Sequence, residues 1–359
     1  MLLLLLPISV LGFKILTPNI STNKSQKRIY MVLCFLSVLF FVGLRSINTG
    51  SIDTQTYCRM FDTASSTSGF IDFLTIREIS IEEYLYKEGN FYLLVWLISR
   101  FTDNEQIFLV VIAAIMTVCV FRFMSKHSED FMLSCIIYIC LGSMTFAMNG
   151  MRQALAMSIC LLAYDFAVKK KIVPFLLIVL LAMTFHVSAF IFLLAYPLSN
   201  FSKLHLVPLL IGGGLFIALS SSLASIYDSL VEKDYAVRDS IEGGGFVTVA
   251  IYLLVLILTM LFYKNLATEN GIEPLFALCF VGLVIFSTRY FSTQIFERIS
   301  YYFYYSVILL IPKLSHIFKE KDRLIYSLIV CILAIALFAY RIESSSMANY
   351  QLFFMGGQL

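Results

Sequence analysis

Long apolar runs, about twelve of them, follow one another along this chain, most separated by short polar breaks. Few architectures accommodate that pattern. A helical membrane crossing takes about 17–25 residues, and the runs at 1–16, 29–44, 106–124, 131–147, 152–168, 172–185, 187–198, 206–227, 246–263, 274–291, 298–312 and 323–340 approach or reach that length. Apolar residues make up 60% of the chain and charged ones 14%, against about 45–50% and about 25% in soluble domains. Soluble enzyme folds are thereby excluded. The sequence predicts an all-α fold, a polytopic integral membrane helical bundle with about 12 (11–13) transmembrane helices. It forms a single polytopic membrane domain over 1–359, with a long periplasmic loop after the second span.

The runs 172–185 and 187–198 are short and form one apolar block broken around His186. Two short helices, or one crossing plus a re-entrant piece, both fit. The first run carries no positive charge before Lys14, so it reads as a retained first helix rather than a signal peptide. Eight cysteines contain no C-x-x-C pair, and seven fall in apolar runs, the pattern of small core residues. Gly212 to Gly214 reads as a site of close helix packing, and Gly243 to Gly245 as a hinge or cap, with no phosphate-loop pattern after it.

Cytoplasmic loops collect Lys and Arg. The segment 17–28 holds Lys24, Lys27 and Arg28 without an acid, 169–171 is three lysines, and 313–323 has Lys313, Lys319, Lys321 and Arg323 against Glu320 and Asp322. All three belong in the cytoplasm. The segment 45–105 has nine acids against five bases and 228–245 has five against two, which places both outside. Both termini then lie outside. Phe91 to Phe101 is too short to cross and predicts an interfacial helix within 45–105. The net charge of +3 is scattered at run ends, so no nucleic-acid partner is indicated.

With sidedness set by loop charge, the polar residues bordering apolar runs fall on the outer face: Arg45, Asn149, Arg152, Gln153, His186, Arg289, Glu297 and Arg298. Charged groups at membrane depth are costly and mark substrate paths, although any single arginine can snorkel harmlessly. Asn149, Arg152 and Gln153, spaced i, i+3 and i+4, share one face if helical, offering a guanidinium fork for phosphate or carboxylate. Arg298 starts a stripe with Tyr301, Tyr302 and Tyr305, suited to stacking on a sugar beside a held phosphate; an interfacial aromatic belt is the competing reading. His186 suits a general base near neutral pH or a buried ring bonded to a carbonyl. The acids Asp53, Asp62, Glu82, Glu83 and Glu88 read mostly as solvated. No metal-binding motif is present.

In order, RSINTGSIDTQTYCRMF at 45–61, KEGNFYLLVWLI at 87–98, MNGMRQALA at 148–156, KKKIVPFLLIVLLAMTFHVSAFIF at 169–192, ERISYYFYYSVILLIP at 297–312 and NYQLFF at 349–354 resemble the EpsG-type branch of the Wzy O-antigen and exopolysaccharide polymerases. The Asn-x-x-Arg-Gln-x-Leu-Ala element followed by Phe-His-x-Ser-Ala is the most specific part. Gly50-Ser-Ile-Asp53 is longer than the commoner Gly-x-Asp, which weakens a role for Asp53.

The resemblance implies an inverting, metal-independent membrane glycosyltransferase without a cofactor. It would polymerise undecaprenyl-pyrophosphate-linked repeat units on the periplasmic face of the bacterial inner membrane, alongside a chain-length regulator and a flippase. On that reading His186 is the catalytic base with Asp53 in reserve, and Arg45, Asn149, Arg152, Gln153, Arg289, Arg298, Tyr301 and Tyr302 bind substrate. A polysaccharide-lipid flippase is the alternative from another class, but the paired repeats of transporters are absent from the sequence. A membrane acyltransferase is a third reading; the sequence gives His186 no second catalytic partner.

Overall fold

The computed structural model describes residues 2–18, 23–49, 52–79, 88–201, 206–231, 245–266, 271–290 and 295–355. Glu82, Glu83, Gly243 and Gly244, together with most of the acidic segment 228–245, lie outside the described residues. Within them the chain is all-helical, with one isolated β-bridge between Arg45 and Leu352.

Most helices follow the apolar runs, and three of them begin at a short polar side chain that caps them. In order they are α1 (Leu5–Leu16), α2 (Lys24–Gly43), α3 (Ile52–Ser66), α4 (Phe70–Ile76), α5 (Gly89–Ser99), α6 (Glu105–His127), α7 (Phe131–Cys140), α8 (Ser143–Asn149), α9 (Met151–Val168) and α10 (Ile172–Met183). A 3₁₀ segment, Val187–Leu194, leads to α11 (Ala195–Leu198), α12 (Leu206–Val231), α13 (Phe246–Leu261), α14 (Tyr263–Leu266), α15 (Ile272–Ser287), α16 (Ile295–Leu314) and α17 (Glu320–Glu343). Asn23 caps α2, Asn104 caps α6 and Asp130 caps α7, each side chain accepting from backbone N–H groups of the first turn.

Among the described residues six helices are long and apolar enough to cross a membrane, and a seventh span results if the bent pair α7 and α8 counts as one. Shorter apolar helices cover Leu2–Leu16, Gly89–Ser99, Ile172–Met183, Val187–Leu198 and Phe246–Leu261. Among the described residues, helices of full spanning length thus number six or seven where the sequence predicts about twelve crossings, and several runs fold as shorter pieces. The run 131–147 bends by 50° between α7 and α8, where Gly142 takes a φ of +104° open to glycine. On α17 Leu324, Ile325, Leu328, Ile329, Ile332 and Leu333 are each more than half exposed, a continuous apolar stripe that suits lipid rather than water.

Two units emerge from the internal contacts. The first comprises 1–163, 177–190 and 327–359. There α2 packs on α6 and on α1, while α3 lies against α5, α6 and α8. Phe61 stacks on Phe108 at 4.9 Å. The C-terminal segment is bound to the end of α2, with Tyr350 donating to the Phe41 carbonyl at 2.5 Å and Gln351 accepting from the Ser46 N–H at 2.8 Å.

The second unit comprises 164–176 and 191–326. Its centre is the pair α15 and α16, flanked by α13 and α12. Of the Gly212 to Gly214 triplet only Gly213 serves close packing: a Cβ there would meet Phe280 at 3.1 Å, whereas its neighbours have open space. All eight cysteines are buried free thiols, including Cys58, the one outside the apolar runs.

Candidate functional site in the first unit

The apolar block breaks at His186. α10 ends at Met183 and the chain re-enters helical geometry as a 3₁₀ segment of eight residues, longer than the three or four such a helix usually sustains. His186 lies between the two. The Ser188 hydroxyl is 2.7 Å from His186 Nδ1 and the Ser188 N–H donates to the same nitrogen at 3.3 Å. A backbone N–H can only donate, so Nδ1 is an acceptor and Nε2 carries the proton of the neutral ring.

His186 Nε2 faces Glu88 Oε1 at 3.5 Å, and the other carboxylate oxygen of Glu88 accepts from Arg152 Nη1 at 2.6 Å. Glu88 is 6% exposed, which overturns the solvated reading for this acid. Its backbone sits in the left-handed region at φ 63°, a conformation that costs a non-glycine residue about 1–3 kcal/mol and persists where surroundings enforce it. Although it stands at the N-cap of α5, it makes no side-chain capping bond. The carboxylate is committed to Arg152 and His186 instead.

Arg152 opens α9. Its guanidinium lies over the Tyr57 ring at 5.9 Å, and its Nε is buried without a hydrogen-bond partner among the described residues. Burial raises the Tyr57 hydroxyl above its ordinary value, with the Arg152 charge pulling the other way and Asp53, one turn earlier on α3, adding to the rise. The first unit therefore gathers Asp53, Tyr57, Glu88, Arg152, His186 and Ser188. Arg152 and His186 keep 25% and 21% of their side-chain surface, so the cluster is reachable.

Other expected site residues take different places. Asn149 ends α8, Gly150 breaks the helix, and Arg152 and Gln153 begin α9; the three do not share one helical face, because they stand on two helices. Gln153 is buried in the core. Arg45 is 1% exposed and spends its guanidinium on helix ends: Nη1 on the Val42 carbonyl at 2.5 Å, Nη2 on the Met148 carbonyl at 3.0 Å and on Met151 Sδ at 3.4 Å. Burial lowers its pKa to about 10, so it remains charged at neutral pH. Thr54 joins it on the Met148 carbonyl at 3.2 Å.

The remaining expected residues belong to the second unit. Arg289 is ion-paired with Glu297 and lies over the Phe286 and Tyr290 rings at 5.7 and 5.5 Å. Tyr301 donates to the other Glu297 oxygen at 2.7 Å. Gly245, at φ +125°, stands at the N-cap of α13, and a Cβ there would stand 2.9 Å from the Arg289 guanidinium. On α16 Arg298 is exposed while Tyr302 and Tyr305 are buried.

The EpsG family model matches residues 28–353, nearly the whole chain. The chain belongs to the EpsG family. Membership suggests a polysaccharide polymerase-type function and agrees with the apolar helices of a membrane protein. No curated protein and no solved structure matches it. Sequence reasoning reached the EpsG chain's Arg152 and His186 because they interrupt apolar runs, but it passed over Glu88 as one acid among many. The available signal was the polar Glu88-Gly89-Asn90 directly before an apolar helix.

Proposed function

We propose that the protein is a membrane glycosyltransferase that joins lipid-linked oligosaccharide repeat units into O-antigen or exopolysaccharide on the outer face of the inner membrane. The observation that carries this reading is the EpsG family match across residues 28–353. The reaction passes a growing chain from one undecaprenyl-pyrophosphate carrier to the sugar of a second, with inversion at the anomeric carbon. It requires positive charge for the departing diphosphate and an acceptor for the hydroxyl proton. Arg152 supplies a planar guanidinium fork for the diphosphate; Glu88 and His186 beside it are the two candidates for the proton acceptor. Arg289 and Arg298 are proposed phosphate contacts of the second unit.

Acyl transfer is the second reading, favoured by one observation: Ser188 and Glu88 stand at the two nitrogens of His186, the order of a nucleophile, a base and an orienting acid. Against it, Ser188 is 2% exposed, and its own N–H holds the ring nitrogen that would take its proton.

A strain lacking the gene tests the proposal. Loss of long polysaccharide, with single repeat units still reaching the cell surface, is the result expected of a missing polymerase. Unchanged chain length with a missing substituent supports acyl transfer, and absence of any repeat unit at the surface supports a flippase.

A further inference from the structure

We infer that Glu88 is the catalytic proton acceptor of glycosyl transfer and that His186 positions it. The inference rests on the glycosyltransferase reading above and assigns the base within that site. In neutral His186, Nδ1 accepts from both the hydroxyl and the N–H of Ser188, and Nε2 bears the ring proton, 3.5 Å from Glu88 Oε1. Neither ring nitrogen is left to take a proton from a sugar. Glu88 offers about four lone-pair sites as a carboxylate. Among the described residues Arg152 occupies one on Oε2 and His186 faces Oε1 at 3.5 Å, so each oxygen keeps a lone pair.

The placement supports the same division of labour. Glu88 is held in a strained backbone conformation without capping its helix, and the next-but-one residue, Asn90, is bonded to Thr184 two residues before His186. The carboxylate and the imidazole are therefore set from both sides of one junction. A carboxylate is also the general base where inversion at an anomeric carbon is catalysed in glycoside hydrolysis.

In the step, the acceptor hydroxyl oxygen forms the new bond to the anomeric carbon. The bond from that carbon to the diphosphate oxygen breaks, and its electron pair leaves with the lipid diphosphate. The hydroxyl proton moves to a Glu88 oxygen and passes afterwards to water or to the released diphosphate, restoring the carboxylate. His186 keeps its proton throughout.

The test uses membranes containing the full-length protein, with lipid-linked repeat units extracted from the strain lacking the gene as substrate, and reads the rate of lipid diphosphate release per molecule of protein. Glu88→Gln is expected to lower the rate ~100-fold or more, the scale of general base catalysis, and adding Arg152→Met to it is expected to restore nothing. His186→Gln is expected to stay within ~10-fold of wild type, since an amide still donates to Glu88. A Glu88→Gln rate near wild type, recovery in the double variant as for a merely structural ion pair, or a His186→Gln loss as deep as that of Glu88→Gln overturns the inference. If Glu88→Gln does not reach the membrane, Glu88→Asp decides: a folded protein slowed more than ~10-fold supports the base, because a shorter stem withdraws the carboxylate, and an unslowed one overturns it. Failure of the wild type to release lipid diphosphate counts instead against the glycosyltransferase reading.

Discussion

Asn90 is bound to Thr184 twice, main chain to main chain at 3.2 Å and amide to hydroxyl at 2.7 Å. The pairing fixes the start of α5 to the end of α10, and with it the register of Glu88 against His186. Thr184→Val removes the side-chain bond and leaves the backbone one. A bond of this kind contributes about 0.5–1.5 kcal/mol, so the polymerisation rate is expected to fall by no more than about tenfold with the protein amount unchanged. A loss as deep as that expected for Glu88→Gln contradicts a positioning role for this pair.

Arg45 is a different case from Arg152, although the two look alike in sequence. Its amino groups close the carbonyl ends of two helices, and hydrogen bonds to a charged group contribute about 1.5–3 kcal/mol each. Arg45→Ala is therefore expected to lower the melting temperature of the detergent-solubilised protein, with near-normal activity for each folded molecule. A variant that melts like wild type but makes no polymer shows instead that Arg45 meets substrate.

How much of this was legible in the sequence follows from where the polar groups stand. Arg152 and His186 interrupt apolar runs, and groups that costly at membrane depth announce themselves. Glu88 does not, because it lies in an acid-rich stretch where Asp62 and Asp72 do face solvent; only the return of α9 and the α10 break encloses it. Arg45 was correctly placed at a helix end, but its Met148 partner is 103 residues away, a contact that no local pattern encodes. The single-face reading of Asn149, Arg152 and Gln153 failed at Gly150, where one helix stops and another starts. The short runs show why span counting is harder than span finding: a run such as 187–198 is as apolar as a crossing but folds as a 3₁₀ segment and a single turn.

Ser188 separates the two enzymatic readings. Ser188→Ala removes one hydroxyl and keeps the N–H that holds His186. Polymer length is expected to shorten only modestly in a gel of the surface polysaccharide. Complete loss of product from this substitution favours Ser188 as a nucleophile.

Sidedness is tested by reporter fusions. On the charge rule, the basic loops at 17–28, 169–171 and 313–323 predict Lys170 in the cytoplasm and Asp72 outside. A fusion at Lys170 is expected to report the cytoplasm and one at Asp72 the periplasm. The reverse at either position contradicts the outer-face placement of Arg152 and His186.

Reconstitution reaches the central claim most directly. The purified wild-type protein in lipid vesicles, supplied only with lipid-linked repeat units from the strain lacking the gene, is expected to produce longer lipid-linked glycans and to release lipid diphosphate as each repeat is joined, in equal amounts. Vesicles in which the repeat units cross the bilayer but stay single, with no lipid diphosphate released, contradict the claim that this chain is a glycosyltransferase.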